Sequence, residues 1–355
     1  MNPLNGSTRN GNRGSSPRGP YLSWCYLRRH YHPREEHKSV IMLRDPPRTL
    51  DPRGTRPLFE SRPVERQAST RCQRANHMSS LSKFAGLFTD EKTIDDRALN
   101  LAGAQPFRAT LARLLYRLRP GSRDPLMAEL VRTGMIVIED FLAPAVFTAV
   151  EREAEEYMNL TDPTWIVRSG TTEVCRHSLD QIDPEQFPAL AQWRTDQRVA
   201  TLASSAERRA YPRQRPGGAL VERLTLGDYS EPDGDAQLHI DTFFDTHKMW
   251  LYFDDVTAAN AAFVYVPGSH RLDRVRLRYE YRESVTRNRR SRRVSEDEVR
   301  SRGLQRRVIS CRRNTLIVAN TCGYHCRSVG ETGASRRSLH REYRYNPFGR
   351  ERRRA

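Results

Sequence analysis

From residue 217 onward the chain breaks into about eight short strand-like runs, near 218–228, 236–243, 248–254, 261–266, 306–311, 314–319, 322–328 and 335–345. Gly, Pro, Asp and Asn punctuate them. The front half reads as mainly helical. Many short strands behind a helical front suggest an α+β protein whose core is a double-stranded β-helix, or cupin-like jelly roll, with flanking helices. The segment 134–142, GMIVIEDFL, reads as a buried strand. Pro144 then opens a helix through about Met158, with Phe147, Val150, Ala154, Tyr157 and Met158 on one face.

The two ends of this core differ in character. Within residues 1–77 the stretch MNPLNGSTRNGNRGSSPRGP is rich in Gly, Ser, Asn and Pro, and Pro33, Pro46, Pro47, Pro52, Pro57 and Pro63 break any later periodicity. A disordered basic tail is expected there. At Met78 the sequence turns amphipathic, so Met78 is also a candidate start, and residues 78–355 form the expected folded domain. Residues 271–313 interrupt the barrel as an Arg-rich insert, in which Ser295 and Glu298 have capping-box spacing for a helix.

Charge is localised. The formal net charge is +17, of which the tail carries +9 and the 271–313 insert +10, leaving the body near neutral. Either basic piece would suit nucleic acid, but no nucleic-acid motif accompanies them, and a solvated surface is the plain alternative. No run approaches the roughly 18 apolar residues of a membrane-spanning helix. The first 30 residues lack the apolar centre of a secretory signal. Six cysteines without a CxxC pair fit a reducing cytoplasm.

The chemistry-bearing residues fall on the strand-like runs. His239 and Asp241 are two apart in one run, so an imidazole and a carboxylate share a face. A surface His–Asp pair is the alternative. His325 lies in NTCGYHCRS. Two histidines and one carboxylate make the facial triad of non-haem Fe(II) oxygenases, which leaves coordination positions open. Arg336, eleven residues after His325, could hold the far end of a dicarboxylate in a bidentate manner. Arg337 takes that place if the register slips by one. Pro267-Gly268-Ser269-His270 closes another run, with His270 as a turn-stabilising residue. Asp245 and His247 read as loop or surface residues. Cys311, Cys322 and Cys326 lack the paired spacing of a zinc site.

Together these segments resemble the phytanoyl-CoA dioxygenase family. The likeness is carried by LHIDTFFDTHKMWLYFDDVTAANAAFVYVPGSHR and NTLIVANTCGYHCRSVGETGASRRSLHREY, with GMIVIEDFLAPAVFTAVEREAEEY ahead of them. The resemblance spans about residues 130–345. It implies an Fe(II)/2-oxoglutarate-dependent dioxygenase that uses O2 to hydroxylate a C–H bond of a small molecule and releases succinate and CO2. His239, Asp241 and His325 would be the metal ligands, and Arg336 would bind the distal carboxylate of 2-oxoglutarate. Trp250 stands where the family places an aromatic beside the cosubstrate, with ordinary core packing as the alternative. Lys248, on the same strand face, would add a second positive charge unless it is solvated. The insert lies where the family often places part of a substrate lid, and its arginines would recognise an anionic group. Where the family often has Asn-Gly, this chain has Asn260-Ala261. A non-catalytic jelly-roll binding protein, or a nucleic-acid-binding protein acting through its Arg-rich segments, are the rival readings.

Overall fold

Strands sandwiched on both faces must be apolar along their whole length rather than on alternate residues. His247–Tyr252 and Thr315–Asn320 are buried along their whole length, with an apolar run at Met249–Tyr252 and Leu316–Ala319 and polar residues only at the ends, His247, Lys248, Thr315 and Asn320. In the computed structural model they lie side by side in a large antiparallel sheet, each flanked by strands on both sides. The structure describes the Val40–Ile41 strand and residues 103–348, apart from 171, 210–213, 228–233, 287–291 and 344–346. The expected tail and the Met78 start otherwise lie outside the described residues.

The strands in chain order are β1 (Val40–Ile41), β2 (Met135–Ile138), β3 (Trp165–Ser169), β4 (Thr172–Ser178), β5 (Gln214–Leu226), β6 (His239–Ile240) and β7 (His247–Tyr252). They continue with β8 (Phe263–Tyr265), β9 (Arg292–Arg293), β10 (Arg307–Ile309), β11 (Thr315–Asn320), β12 (His325–Arg327) and β13 (Ser335–Tyr343). Helices α1 (Ala104–Arg117), α2 (Pro125–Thr133), α3 (Pro144–Leu160), α4 (Pro188–Arg194) and α5 (Gln197–Glu207) fill the front half. Helices α6 (Arg274–Thr286) and α7 (Glu296–Ser301) belong to the insert.

An eight-stranded sheet runs β1-β3-β4-β5-β13-β7-β11-β2, and a five-stranded sheet runs β10-β8-β12-β6-β9. The two face each other as a double-stranded β-helix. Trp250, Tyr252 and Ile317 of the large sheet meet Phe263 and Tyr265 of the small one inside. The outer face of the large sheet, including Met249, Leu251 and Leu316, buries Phe147, Val150 and Ala154 of α3. This is the apolar stripe read from the sequence, and α3 begins at Pro144 as expected. The outer face of the small sheet, through Ile240, Val264 and Tyr324, packs on Tyr279 and Val299 of the insert. The insert also supplies both edge strands of that sheet, β9 and β10. Ser295 caps α7 by accepting from Glu298 N.

Two departures from the sequence reading concern the front half. It is not simply helical: β3 and β4 form an antiparallel hairpin that extends the large sheet beside β5. Val40 and Ile41, inside the stretch expected to be disordered, pair with Val167 and Ile166 of β3.

Ala261, at the family's usual glycine, has φ 62° and is fully buried. A left-handed alanine costs about 1–2 kcal/mol. Its methyl packs among Val174, Leu224 and Leu226, which returns about 0.8 kcal/mol. Glycine would add about 0.5–1 kcal/mol of chain entropy to lose on folding. The terms nearly cancel, so Ala261→Gly should shift stability by under about 1 kcal/mol in urea unfolding.

Candidate metal and cosubstrate site

Register brings the two histidines together. His239 of β6 is the direct partner of His325 of β12, and their ring centroids are 4.6 Å apart. Asp241 follows in the bend after β6, where its N–H donates to Thr321 O at 3.1 Å. One ligand atom from each of His239, Asp241 and His325 lies within 4.8 Å of the others. Asp241 Oδ1 is 4.0 Å from His239 Nε2 and 3.8 Å from His325 Nε2.

The second ring nitrogen of each histidine fixes the tautomer. His239 Nδ1 is 2.8 Å from Gln237 O, and His325 Nδ1 is 2.6 Å from Gly323 O. A carbonyl oxygen only accepts, so each Nδ1 carries the proton and each Nε2 presents a lone pair. Burial and the neighbouring His325 hold the His239 imidazole well below its ordinary pKa, hence neutral. For Asp241, burial raises the carboxyl pKa, but the neighbouring charges, Lys248 foremost, more than reverse this and keep it anionic. Two neutral imidazoles and one carboxylate are the donor set a divalent iron takes. Lys248 is buried rather than solvated, and its Nζ sits 2.8 Å from Asp241 Oδ2. It thereby leaves Oδ1 as the oxygen facing the imidazoles.

The loops carrying these residues are sutured from behind. Asn320 Oδ1 accepts from Thr246 N and Cys322 N, while its Nδ2 donates to Asp245 Oδ1 at 2.5 Å. Arg113 of α1, 132 residues away in sequence, pairs with the same Asp245 oxygen. Gly323 has no room for a side chain, because a Cβ there would fall 2.0 Å from Tyr265 Oη. Asp245 and His247 are therefore not surface residues: both are buried, and His247 Nδ1 is 2.7 Å from Glu207 Oε1. His270 is buried in the turn, with Nε2 3.0 Å from Val131 O. Burial pushes the Cys311 and Cys322 thiols up to about 12, so both are protonated and poor metal ligands.

Further along the barrel, Arg336 and Arg337 point to opposite faces of β13. Arg337 turns outward and is held by Asp254, Glu155 and Glu151. Arg336 turns inward, is 5% exposed, and lies over the Tyr252 ring at 5.1 Å. Its Nε has no hydrogen-bond partner among the described residues. A buried guanidinium with unused donors fits a carboxylate. Trp250 is buried between Phe263 and His340, stacked on the latter at 5.2 Å and 12°. Between the triad and Arg336 the inner wall is thus lined by aromatic rings.

The buried histidines set an acid limit. Burial, then Arg113, pushes His270 down to about 3 from 6.5, and His239 is lowered as well. A folded pKa below the unfolded one gives stability that is present above about pH 6.5 and lost as pH falls. Metal-free protein should lose stability from pH 6.5 downward, with a slope approaching about 1.4 kcal/mol per pH unit for each histidine. Glu222, pulled down to about 2, adds a further loss between about pH 4.5 and 2. Urea unfolding at pH 7 and pH 5 checks the first window.

Comparison with known proteins follows the geometry. A family model for phytanoyl-CoA dioxygenase matches residues 130–308. No curated protein sequence matches. Among solved structures, the chain is similar to the epimerase SnoN in complex with Fe3+, alpha ketoglutarate and nogalamycin RO, at 18% identity and TM-score 0.42, covering 67% of this chain and 87% of that one. It is similar to AviO1 from Streptomyces viridochromogenes Tue57, at 16% identity and TM-score 0.41, covering 64% and 96%. It is also similar to HygX from Streptomyces hygroscopicus with nickel, 2-oxoglutarate and hygromycin B bound, at 17% identity and TM-score 0.38, covering 62% and 86%. With the family model matched over half its length, the chain belongs to the phytanoyl-CoA dioxygenase family of Fe(II)- and 2-oxoglutarate-dependent oxygenases.

Proposed function

We propose that this oxygenase hydroxylates a C–H bond of a small molecule bearing an anionic group, with His239, Asp241 and His325 holding the metal and Arg336 the distal carboxylate of 2-oxoglutarate. The observation that carries the reading is the buried triad, with both Nε2 lone pairs and one carboxylate oxygen converging, on the same barrel interior as Arg336. Bound there, iron and 2-oxoglutarate supply O2 activation, with release of succinate and CO2.

The chain's own residues divide the remaining work. Gln237 O and Gly323 O hold the imidazole protons away from the metal side. Lys248 orients Asp241 by engaging its Oδ2. Trp250, Tyr252 and Phe263 exclude water between the two ends of the cosubstrate site. Trp250 acts as a wall, since its ring is covered by His340.

Support for an anionic substrate comes from β9. Arg293 is the direct partner of His239 in an antiparallel pair, so its side chain is on the metal-facing side of the sheet. Its charge is felt at the His239 imidazole. Two other arginines of the insert are committed internally: Arg276 to Glu280, Ser269 O and Cys322 O, and Arg302 to Asp273 and Ser269 O. Those two are thereby taken out of any surface for nucleic acid. No described helix is long and apolar enough to cross a membrane. We place the activity in the cytoplasm, in a single oxygenase domain from residue 78 with 271–313 as its insert.

The test is succinate formation. Fe(II)-loaded protein with 2-oxoglutarate and O2 should form succinate slowly without substrate, and His239→Ala should not. Anionic candidate substrates should stimulate the rate, and Arg293→Gln should raise their KM more than their kcat falls. Well-folded protein that binds iron but never forms succinate would favour the non-catalytic binding reading instead.

A further inference from the structure

Glu222 is a buried carboxylate inside the barrel to which the reaction gives no task. It lies on β5 directly opposite Arg176 of β4 on one side and Ser338 of β13 on the other. Arg336 and His340 are two residues before and after Ser338, so Glu222 is diagonal to both and within reach of long side chains. Arg176 Nε donates to Glu222 Oε1 at 2.8 Å. His340 Nδ1 comes within 3.4 Å of the same oxygen but without hydrogen-bond alignment. Burial raises the Glu222 carboxyl pKa, and Arg176, His340 and Arg336 together bring it down to about 2. The carboxylate is therefore charged at neutral pH and feels Arg336 without being hydrogen-bonded to it.

This arrangement poses an electrostatic conflict. A guanidinium kept to receive a carboxylate stands beside a carboxylate the protein already owns. In a buried, weakly screened interior, Glu222 would draw Arg336 into its own ion pair and repel an incoming anion. Arg176 resolves the conflict by taking Glu222 first. One carboxylate and two guanidiniums leave a single positive charge, the amount one incoming carboxylate neutralises.

We infer that Arg176 is a positioning residue for the cosubstrate site: by holding Glu222 it keeps Arg336 available to the distal carboxylate of 2-oxoglutarate. The inference rests on Arg336 as the cosubstrate anchor. It adds a residue on a hairpin remote from the metal that touches neither metal nor cosubstrate. His340 supports the arrangement by stacking on Trp250 and flanking Glu222.

The experiment is anaerobic titration of 2-oxoglutarate into Fe(II)-loaded protein, read as the Kd from the metal-to-ligand charge-transfer band. Arg176→Gln should weaken binding about tenfold with Fe(II) binding unchanged. Glu222→Gln should bind at least as tightly as the parent. The Arg176→Gln/Glu222→Gln double variant should return to within about threefold of the parent. Glu222→Gln would also relieve the instability of an unpaired buried carboxylate. The comparison is therefore made on an Arg176→Gln protein that is as resistant to urea as the double variant and binds Fe(II) like the parent. A weakened Kd that merely follows lost stability overturns the inference. Arg176→Gln at the parent Kd, or a double variant as weak as Arg176→Gln, overturns the inference. If Arg176→Gln does not fold, Glu222→Gln decides, and a Kd weakened about tenfold overturns it. Arg336→Ala is the control: if it binds 2-oxoglutarate like the parent, the anchor itself is wrong and the inference falls with it.

Discussion

Alanine in place of Arg336 weakens 2-oxoglutarate binding by about 10–150-fold, the range for losing charge-assisted hydrogen bonds worth about 1.5–3 kcal/mol. Fe(II) binding is unaffected, because Arg336 is at the far end of the interior, over Tyr252, and not among the triad. Arg336→Lys recovers only part of the loss, since an ammonium replaces a planar fork. The contrast is Arg337→Ala. Its partners Asp254, Glu155 and Glu151 lie on the outer face, so that variant lowers stability and leaves the 2-oxoglutarate Kd alone. Equilibrium titration of the three variants beside urea unfolding reads both quantities. Equal effects of Arg336→Ala and Arg337→Ala on the Kd would contradict the alternation on β13.

Asp241→Ala has the largest expected effect on stability. It removes a proposed metal ligand and leaves Lys248 buried without its carboxylate. Breaking a buried pair from one side costs about 3–5 kcal/mol, a large fraction of the stability of an ordinary domain. Asp241→Ala/Lys248→Met should recover most of the stability and none of the metal binding. Urea unfolding of metal-free protein separates the two losses. A single variant as stable as the parent would mean that Lys248 is hydrated and does not orient Asp241.

The readable part of the site was what local periodicity controls. His239 and Asp241 two apart, and Arg336 against Arg337, follow from the two-residue period of a strand, and both pairs are oriented as that period requires. What escaped depends on partners distant in sequence. Asp245 and His247 looked like loop residues, yet they are buried because Arg113 of α1 and Glu207 of α5 come to meet them. Lys248 looked like a candidate for solvent, and its partner Asp241 lies in the bend after a strand of the opposite sheet. The hairpin of β3 and β4 was missed although WIVRS and TEVCRHS are rich in β-branched residues and are separated by Gly170. With it went Arg176, whose role depends on lying beside Glu222. At Ala261 the sequence showed only a departure from Asn-Gly, and it took the fold to show that buried packing offsets the strain of its positive φ.

The account stands on His239, Asp241 and His325 binding one divalent iron that 2-oxoglutarate then chelates. Its most direct test is anaerobic addition of Fe(II) and then 2-oxoglutarate to the purified full chain, with His325→Ala in parallel. The account predicts a visible charge-transfer band that saturates at one iron per chain in the parent and does not form in folded His325→Ala. A parent protein that is folded but shows no band, or a band of equal strength in His325→Ala, would contradict it.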